Sequence, residues 1–421
     1  MWVIIKKIVI EGNKTLEGTI EIGGAKNSAV ALLPAAILSD GIVEIDNVPN
    51  ISDKDVLIEI MTLLGAKVSV KKSKIIVDST NIKNTLIPED LSNKLRASYY
   101  FMGVLLAKYK YVEIYFPGGC NIGARPINLH LSGFETLGAT VKKEGTKYTI
   151  KADKLVGDDI YLDYASVGAT VNLMFAASMA EGVTTIHNAA REVEIINVAD
   201  FLNKMGAKIT GAGTDRITIL GVKKLGSAKI NVIPDRIEAG TYIILGALMG
   251  KNLTVKGIIP DHLIILFKKL QEMGVEYYLE GDSITLNKVD NLRATNIRTA
   301  VYPGFPTDLG QPIMVLLTQA KGTSLFEETI WENRMGHVKY LNEMGAKITA
   351  ERQHAKIVGP TKLVGKEITA PDLRGGAALV IAGLLAEGET IINEAEHILR
   401  GYERIINKLT GVGANIKIIE V

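Results

Sequence analysis

One short pattern recurs six times along the chain: a helical stretch of apolar residues, a glycine, and an alternating segment. The six copies read LLGAKVSV, TLGATVKK, KMGAKITG, EMGVEYYL, EMGAKITA and GVGANIKI, with glycines at Gly65, Gly138, Gly206, Gly274, Gly345 and Gly413. Neighbouring glycines are 68 to 73 residues apart, which is too regular for chance and indicates six repeats. The spacing predicts a surface helix before each glycine, a left-handed glycine that ends the helix, and a strand after it.

A second helical stretch in each repeat is apolar on nearly all sides. Three examples are GATVNLMFAASMA, GQPIMVLLTQA and GGAALVIAGLLA. Because a helix without a polar face belongs inside the protein, these stretches are expected to be buried. Each repeat should therefore combine one buried helix, one surface helix and about four strands, with the sheets packed outside the buried helices.

Six repeats can form one closed ring or two groups of three. A single core stops growing at about 250 to 300 residues, so the length of 421 residues favours two domains. We expect a mixed α/β (α+β) fold with three repeats in residues 23–232. The other three repeats should lie in a second domain formed by residues 1–22 plus 233–421.

Composition removes several classes of function. The chain has 48 Lys and Arg against 46 Asp and Glu, so it lacks the bulk positive charge of many nucleic-acid binders. One cysteine excludes an intramolecular disulfide and fits a reducing, cytoplasmic location. No apolar run reaches the length of a membrane span, and no pair of histidines or cysteines has metal-ligand spacing. The expectation is a cytoplasmic protein with no nucleic acid, membrane or metal partner.

Charged and polar residues stand at the expected starts of the buried helices. They are Lys26-Asn27, Arg96, Ser166-Val167-Gly168, Asp235-Arg236, Asp308 and Asp372-Leu373-Arg374. Ser166 and the acids are most simply interpreted as N-caps. The cations Lys26, Arg96 and Arg374 lie where positive charge is unfavourable, which suggests an anionic ligand that compensates the repulsion. The motifs GxxxxGK(S/T) and GxGxxG are missing, so nucleotide triphosphate hydrolysis and dinucleotide binding are poorly supported.

The single cysteine, Cys120, lies in the loop PGGCNIGARP, five positions before Arg125. A free cysteine is often a small buried hydrophobic residue, but flanking glycines, asparagine and arginine disfavour a core position. A thiol with a pKa of about 8.5 is mostly protonated at neutral pH. Nearby cations would lower that pKa and make the sulfur nucleophilic.

Eight segments, in order from about Ile8 to the C-terminus, resemble one known family. They are GGAKNSAVALLPAAIL, LRASYYFMG, PGGCNIGARPINLH, ASVGATVN, YPGFPTDLGQP, ENRMGHV, DLRGGAALVIAGLLAEG and RGYERI. Together they resemble the UDP-N-acetylglucosamine 1-carboxyvinyltransferases, the enolpyruvyl transferases of peptidoglycan synthesis. The resemblance implies a two-domain inside-out α/β barrel of six βαβαββ-type repeats, with the active site in the cleft between the domains.

The resemblance also implies a reaction and a set of residues. The enolpyruvyl group of phosphoenolpyruvate would pass to the 3′-hydroxyl of UDP-N-acetylglucosamine through a tetrahedral ketal, without a cofactor, in the first committed step of peptidoglycan precursor synthesis. Cys120 would be the general acid and the target of an epoxide phosphonate inhibitor, and Asp308 the base or hydroxyl-orienting group. Lys26, Arg125 and Arg400 would hold phosphoenolpyruvate. The implied substrate-binding set is Lys26, Asn27, Arg96, Arg125, Pro126, Ile127, Asn128, Leu129, Ser166, Val167, Gly168, Asp308, Ile330, Arg334, Asp372, Arg374 and Arg400.

Two positions depart from the family pattern. Asn128 stands where the family usually has an aspartate, and Tyr164 or Ala165 where some members have a lysine. Contacts to the nucleotide sugar are therefore expected to be weaker, with the same reaction.

Two other functions remain open from the sequence. The related 5-enolpyruvylshikimate-3-phosphate synthase would share the repeats and phosphoenolpyruvate, but not the PGGCNIGARP loop. A catalytically weak paralogue that senses UDP-sugars would be favoured by loss of Cys120, Asp308 or Arg400, and the chain has all three.

Overall fold

Six four-stranded sheets and two sets of helices make up the fold. The structure is a computed structural model and describes residues 6–119 and 122–420. Cys120 lies outside the described residues, so its role stays a prediction. The strands are, in chain order, β1 (Lys6–Glu11), β2 (Leu16–Glu21), β3 (Ile42–Asp46), β4 (Lys67–Lys71), β5 (Lys74–Asp78), β6 (Leu86–Ile87), β7 (Tyr111–Tyr115), β8 (Thr140–Glu144), β9 (Lys147–Lys151), β10 (Asp159–Tyr161), β11 (Val183–His187), β12 (Lys208–Thr210), β13 (Arg216–Leu220), β14 (Ala228–Asn231), β15 (Gly250–Lys256), β16 (Tyr277–Glu280), β17 (Ser283–Leu286), β18 (Ile297–Arg298), β19 (Gly322–Glu327), β20 (Lys347–Glu351), β21 (His354–Gly359), β22 (Glu367–Thr369), β23 (Glu389–Asn393) and β24 (Asn415–Glu420).

The helices alternate with these strands along the chain. They are α1 (Lys26–Ala35), α2 (Ser52–Leu64), α3 (Glu89–Lys94), α4 (Tyr100–Tyr109), α5 (Asn128–Thr136), α6 (Val167–Ala177), α7 (Val193–Lys204), α8 (Arg236–Met249), α9 (Ile264–Glu272), α10 (Gly310–Thr318), α11 (Val338–Glu343), α12 (Leu373–Leu385), α13 (Glu396–Leu399) and α14 (Ile405–Thr410). Short 3-10 helices cover Ala36–Leu38, Arg96–Tyr99, Pro260–Leu263 and Thr307–Leu309.

All six sheets share one strand arrangement. Their orders are β22-β23-β1-β24, β2-β15-β17-β16, β18-β19-β21-β20, β14-β3-β5-β4, β6-β7-β9-β8 and β10-β11-β13-β12. In each sheet the first pair is parallel and the next two pairs are antiparallel. The predicted fold class of six repeats is confirmed.

Each all-apolar stretch forms a helix in the interior. Every residue of α8 and of α10 is buried, and α1 is buried except at Lys26 and Asn27. Helix α4 packs against α1 and α6, and α10 packs against α8 and α12. No helix in residues 6–119 and 122–420 is long and apolar enough to cross a membrane.

The six repeat glycines all have positive φ angles, from 83° at Gly274 to 111° at Gly65. A residue with a Cβ is strained in this region, so glycine is the residue that ends these helices without strain. The strands β4, β8, β12, β16, β20 and β24 follow them directly. The helix-glycine-strand prediction is therefore confirmed in every repeat.

The contacts divide the chain into two units. One consists of Gly24–Cys120 and Arg125–Ile233, and we call it the N-terminal unit. The other consists of Met1–Gly23, Asn121–Ala124 and Pro234–Val421, and we call it the C-terminal unit. Each unit has its own hydrophobic core, built around α1, α4 and α6 in the first and around α8, α10 and α12 in the second.

Candidate functional site

The polar residues at the starts of the buried helices fall into two classes. Ser166, Asp235 and Asp372 are N-caps, because each side chain accepts a hydrogen bond from a backbone N–H in the first turn of α6, α8 or α12. The capping interpretation is therefore correct for these three. It is wrong for Asp308, which lies in the 3-10 turn before α10 and binds side chains instead of capping a helix.

Asp308 is the centre of an ion-pair cluster in the C-terminal unit. Its Oδ1 lies 2.7 Å from Nη2 of Arg334, and its Oδ2 lies 3.0 Å from Nη2 of Arg374. The two arginine side chains are only 6% and 3% exposed, whereas that of Asp308 is 22% exposed. Two buried cations therefore converge on one carboxylate that solvent can still reach.

This cluster shifts the pKa of Asp308 and of Arg374. Burial would raise the pKa of the Asp308 carboxyl, but Arg374 and Arg334 outweigh it and hold that pKa well below its ordinary value. Burial opposes the charge of Arg374, yet Asp308 raises the pKa of its guanidinium above the ordinary value. At neutral pH the cluster thus holds two cations and one anion, a net positive charge suited to an anionic ligand.

Tyr402 and Asp372 hold Arg374 in place. The guanidinium carbon of Arg374 lies 5.3 Å from the ring centroid of Tyr402, whose hydroxyl is 2.9 Å from Oγ1 of Thr241. Asp372 accepts hydrogen bonds from the backbone N–H groups of Arg374 and Gly375 at 2.9 and 3.0 Å. Arg374 is therefore fixed by a cap on its backbone and a ring beneath its side chain.

Arg400 reaches the same neighbourhood through its chain neighbours. It ends α13 and is half-buried. The next residue, Gly401, packs so closely on Leu373 that a Cβ would lie 2.6 Å from the leucine Cδ2. The structure thus places Asp308, Arg334, Asp372 and Arg374 around the starts of α10 and α12. It places the backbone next to Arg400 against Leu373, the first residue of α12.

Lys26 opens α1 in the N-terminal unit and has a carboxylate partner. Its Nζ lies 2.9 Å from Oδ2 of Asp53, a residue in the first turn of α2. The exposed fractions of the two side chains are 14% and 5%. Part of the repulsion between Lys26 and its helix is therefore compensated by the protein itself, and the sequence argument for a ligand was incomplete. In the same way, Asp308 compensates part of the repulsion between Arg374 and the N-terminus of α12.

Arg96 is the first residue of a 3-10 turn that runs directly into α4, at the helix start that the sequence suggested. Its Nη1 donates to the carbonyl oxygen of Pro117 at 2.9 Å, and its Nη2 donates to that of Arg125. Burial, followed by the charge of Arg125, lowers the pKa of Arg96 to about 10. Arg96 is still protonated at neutral pH, and the two repelling guanidinium groups would be stabilised by an anion between them.

Tyr99, His130 and Gly168 link the other predicted segments of this unit. The rings of Tyr99 and His130 are 4.9 Å apart, and the guanidinium carbon of Arg96 is 5.6 Å from the Tyr99 ring. A Cβ on Gly168 would lie 2.7 Å from Oη of Tyr99 and 3.1 Å from Cε1 of His130. The structure therefore brings Arg96, residues 125–129 and residues 166–168 into one cluster, with room only for glycine at position 168.

His130 is a neutral hydrogen-bonding residue in this cluster. It is buried, and its Nδ1 lies 2.9 Å from the amide nitrogen of Asn172. Because an amide N–H can only donate, Nδ1 accepts and the proton lies on Nε2. Burial, followed by the charge of Arg96, lowers the pKa of His130 to about 3. Sequence patterns gave no reason to single out His130, Asn172 or Asp53, because each matters only through a partner on another helix.

The remaining predicted residues differ in exposure. Ile127 and Leu129 are buried, Arg125 is half-buried, and Pro126 and Asn128 are exposed at the start of α5. Asn27, Val167 and Ile330 are half-buried. Among residues 125–129, Pro126 and Asn128 are therefore the two whose side chains are exposed.

Known proteins resemble this chain along most of its length. Residues 10–409 match the family model described as EPSP synthase (3-phosphoshikimate 1-carboxyvinyltransferase). The UDP-N-acetylglucosamine 1-carboxyvinyltransferase 2 of Listeria monocytogenes is 50% identical over 410 residues, covering 97% of each chain. The protein of the same name from Streptococcus mutans is 50% identical over 418 residues, covering 99% of this chain and 100% of the relative.

Solved structures show the same fold. The enolpyruvyl transferase NikO from Streptomyces tendae superposes with a TM-score of 0.91 at 24% identity, covering 100% of both chains. EPSP synthase from Acinetobacter baumannii superposes with a TM-score of 0.75 at 17% identity, covering 99% of this chain and 100% of that chain.

Proposed function

The chain belongs to the UDP-N-acetylglucosamine 1-carboxyvinyltransferases and to the EPSP synthase family, and on this basis we propose the reaction that it catalyses. It transfers the enolpyruvyl group of phosphoenolpyruvate to the 3′-hydroxyl of UDP-N-acetylglucosamine and releases phosphate. This reaction is the first committed step in making peptidoglycan precursors. The structural observation that supports the proposal is the pair of buried guanidinium groups at Asp308.

The reaction proceeds by addition and elimination. A proton adds to C3 of phosphoenolpyruvate, the sugar oxygen bonds to C2, and the hydroxyl proton leaves, which gives a tetrahedral ketal. Loss of a proton from C3 then expels phosphate and restores the double bond. The protein must therefore hold two anionic groups, supply one acid, and orient one hydroxyl.

Phosphoenolpyruvate offers a phosphate and a carboxylate, and the chain offers a cation for each. Lys26, Arg125 and Arg400 are proposed to hold the phosphate, and Arg374 and Arg334 the carboxylate. The substrate carboxylate would compete with Asp308 for the two guanidinium groups. Because those groups hold the pKa of Asp308 low, their transfer to the substrate raises it and makes Asp308 a better acceptor for the sugar hydroxyl proton.

The nucleotide sugar is proposed to bind along the cluster of Arg96, residues 125–129 and residues 166–168. Arg96 supplies the charge for the diphosphate, and the backbone at the start of α6 adds N–H donors. Asn128 carries no charge where the family usually has an aspartate, and Tyr164 is 49% exposed near the position of a family lysine. We expect these two positions to weaken binding without changing the chemistry.

Cys120 is proposed as the general acid that protonates C3. The neighbouring Gly119 has a φ angle of 117°, and a Cβ there would lie 2.9 Å from Cβ of Arg96, so a glycine is needed beside the cysteine. A thiol near Arg96 and Arg125 would have a lowered pKa. An epoxide phosphonate that resembles phosphoenolpyruvate should therefore alkylate Cys120 and stop turnover.

The proposed location is the cytoplasm, because phosphoenolpyruvate and nucleotide sugars are made there. A phosphate-release assay with two acceptors tests the function. Phosphate should appear from phosphoenolpyruvate when UDP-N-acetylglucosamine is added, and not when shikimate-3-phosphate is added. Equal release with shikimate-3-phosphate would assign the chain to the other reaction of the family, and binding without release would mark a sensor.

A further inference from the structure

We propose that Glu328 is a positioning residue for this reaction, which makes the inference dependent on the proposed function. Its side chain is buried, with the residue only 2% exposed. It immediately follows β19 and precedes the segment that carries Ile330 and Arg334. Neither the repeat pattern nor the family-like segments drew attention to it.

Four donors from three chain segments converge on this carboxylate. Its Oε1 accepts from the backbone N–H of Ile330 at 2.8 Å and of Trp331 at 3.2 Å, and from Oγ1 of Thr299 at 3.0 Å. Its Oε2 accepts from Oγ1 of Thr307 at 2.8 Å. Thr307 immediately precedes Asp308, so one carboxylate joins the segment of Asp308 to the segment of Ile330.

Thr299 strengthens the same link from a third segment. Its Oγ1 accepts from the backbone N–H of Thr329 at 2.8 Å, and its carbonyl oxygen accepts from Oγ1 of Thr329 at 2.7 Å. Thr299 itself is fully buried. The turn at residues 328–331 is therefore held from inside, and it leads directly to Arg334.

The two segments meet a second time at the ion pair between Asp308 and Arg334. Glu328 holds both segments at once. It accepts a hydrogen bond from Thr307, next to Asp308, and from the backbone that leads to Arg334. A shift in either segment would change where the Asp308 carboxylate meets a sugar hydroxyl. Misplacement of a reacting group by about 1 Å can cost about 100-fold in rate.

A purely structural role for Glu328 predicts a different outcome from a positioning role. If Glu328 only stabilises the fold, its removal lowers thermal stability, and each remaining folded molecule keeps its kcat and its KM. If Glu328 positions Asp308, loss of the Thr307 bond lowers kcat in folded molecules and leaves the KM for UDP-N-acetylglucosamine unchanged. Thr307→Val tests this, because valine keeps the shape of threonine and removes only the hydroxyl.

The expected results are specific to each variant. Thr307→Val should lower kcat about tenfold, with the KM for UDP-N-acetylglucosamine within about twofold of wild type, the size of effect given by one lost orienting hydrogen bond. Thr307→Ser restores the hydroxyl and should recover kcat to within about twofold. Glu328→Ala also frees the Ile330 backbone, so it should lower kcat and raise this KM together.

Two matched controls lie in the same unit. Oγ1 of Thr295 donates to Oε2 of Glu272 at 2.7 Å at an exposed position. Thr295→Val therefore also removes a hydrogen bond from a threonine hydroxyl to a glutamate carboxylate, but on the surface. Glu327 is the neighbour of Glu328 and pairs with exposed Arg298 at 3.0 Å, so Glu327→Ala removes a carboxylate one position away. Both controls should keep wild-type kcat and KM.

The measurements are phosphate release per folded molecule and the melting temperature of each variant. Wild-type kcat in folded Thr307→Val, or an equal loss in Thr295→Val, overturns the positioning role of Glu328. If Glu328→Ala does not fold, the comparison of Thr307→Val with Thr307→Ser decides alone. A wild-type enzyme that releases no phosphate with UDP-N-acetylglucosamine overturns the proposed function itself, and the role of Glu328 with it.

Discussion

Replacing Asp308 with asparagine removes the charge on which two buried arginines depend. The oxygen atoms of Asp308 lie 2.7 and 3.0 Å from the guanidinium nitrogens of Arg334 and Arg374. Asparagine has almost the same shape, but it has one acceptor oxygen and no charge. One guanidinium therefore loses its acceptor, and both lose their counter-ion.

The expected loss of stability follows from burial. At about 3 Å and an effective dielectric constant of about 20, one such pair attracts with about 5 kcal/mol, and desolvation offsets part of this. Breaking a buried pair by removing one partner costs about 3 to 5 kcal/mol. Because asparagine keeps one acceptor and Asp308 is 22% exposed, we expect a loss of about 3 kcal/mol in the free energy of unfolding, near the lower end of that range.

The stabilisation that the Asp308 carboxylate contributes should decrease as the pH falls. The pKa of Asp308 is lower in the folded protein than in the unfolded chain, where it is about 3.9. The stabilisation is therefore fully present above about pH 4 to 5 and is lost as the pH falls through the folded-state pKa. The difference between wild type and Asp308→Asn should be constant from pH 8 to about pH 5 and shrink below about pH 4.

Urea unfolding followed by tryptophan fluorescence measures this difference, because Trp331 lies three residues before Arg334. Turnover gives a second readout: kcat should fall by about 100-fold or more if Asp308 orients or deprotonates the sugar hydroxyl. An unfolding free energy within about 0.5 kcal/mol of wild type at pH 7, as for an ordinary surface substitution, would refute the reasoning about the buried guanidinium pair.

Three further predictions concern the N-terminal unit. Asp53→Asn leaves Lys26 without its carboxylate, and it should lower the unfolding free energy by about 1 to 3 kcal/mol and change the KM for phosphoenolpyruvate. Gly168→Ala places a Cβ against Tyr99 and should cost about 1 to 3 kcal/mol while raising the KM for UDP-N-acetylglucosamine. His130 has a pKa of about 3 in the folded protein. Between the unfolded-state pKa of about 6.5 and the folded-state pKa, the free energy of unfolding should therefore fall by about 1.4 kcal/mol for each pH unit of acidification. His130→Gln should remove that pH dependence.

Each of these predictions has a control and a contradicting result. Asp55→Asn changes an exposed carboxylate of the same helix and should have little effect, so an equal loss in both variants would contradict the role of Asp53. Gly226→Ala adds a Cβ whose nearest neighbour lies 3.8 Å away, and it should be neutral where Gly168→Ala is not. Unchanged pH dependence in His130→Gln would show that His130 is not neutral in the folded protein.

The repeats were predictable from the sequence because each depends on local chemistry. Each repeat shows a helix-ending glycine and an all-apolar helix in its own sequence. The predicted left-handed conformation is found at all six glycines, Gly65, Gly138, Gly206, Gly274, Gly345 and Gly413. The same locality explains the correct N-caps at Ser166 and Asp372, whose partners lie within one helical turn.

The geometry of the candidate site was less predictable, because the residues that contact each other there are distant in sequence. Asp308 looks like a cap in sequence, but its partners Arg334 and Arg374 come from two other segments. The pairing of Lys26 with Asp53 and the four donors on Glu328 likewise depend on how helices and turns meet. The role of Cys120 came from family resemblance and stays a prediction.

Product identification tests the proposed reaction most directly. The enzyme is incubated with UDP-N-acetylglucosamine and phosphoenolpyruvate labelled with carbon-13 at its second carbon, and the product is examined by nuclear magnetic resonance and mass spectrometry. We predict a labelled enol ether on the 3′-oxygen of the sugar, in an amount equal to the phosphate released. Labelled pyruvate with unchanged UDP-N-acetylglucosamine would instead show hydrolysis without transfer and contradict the proposed function.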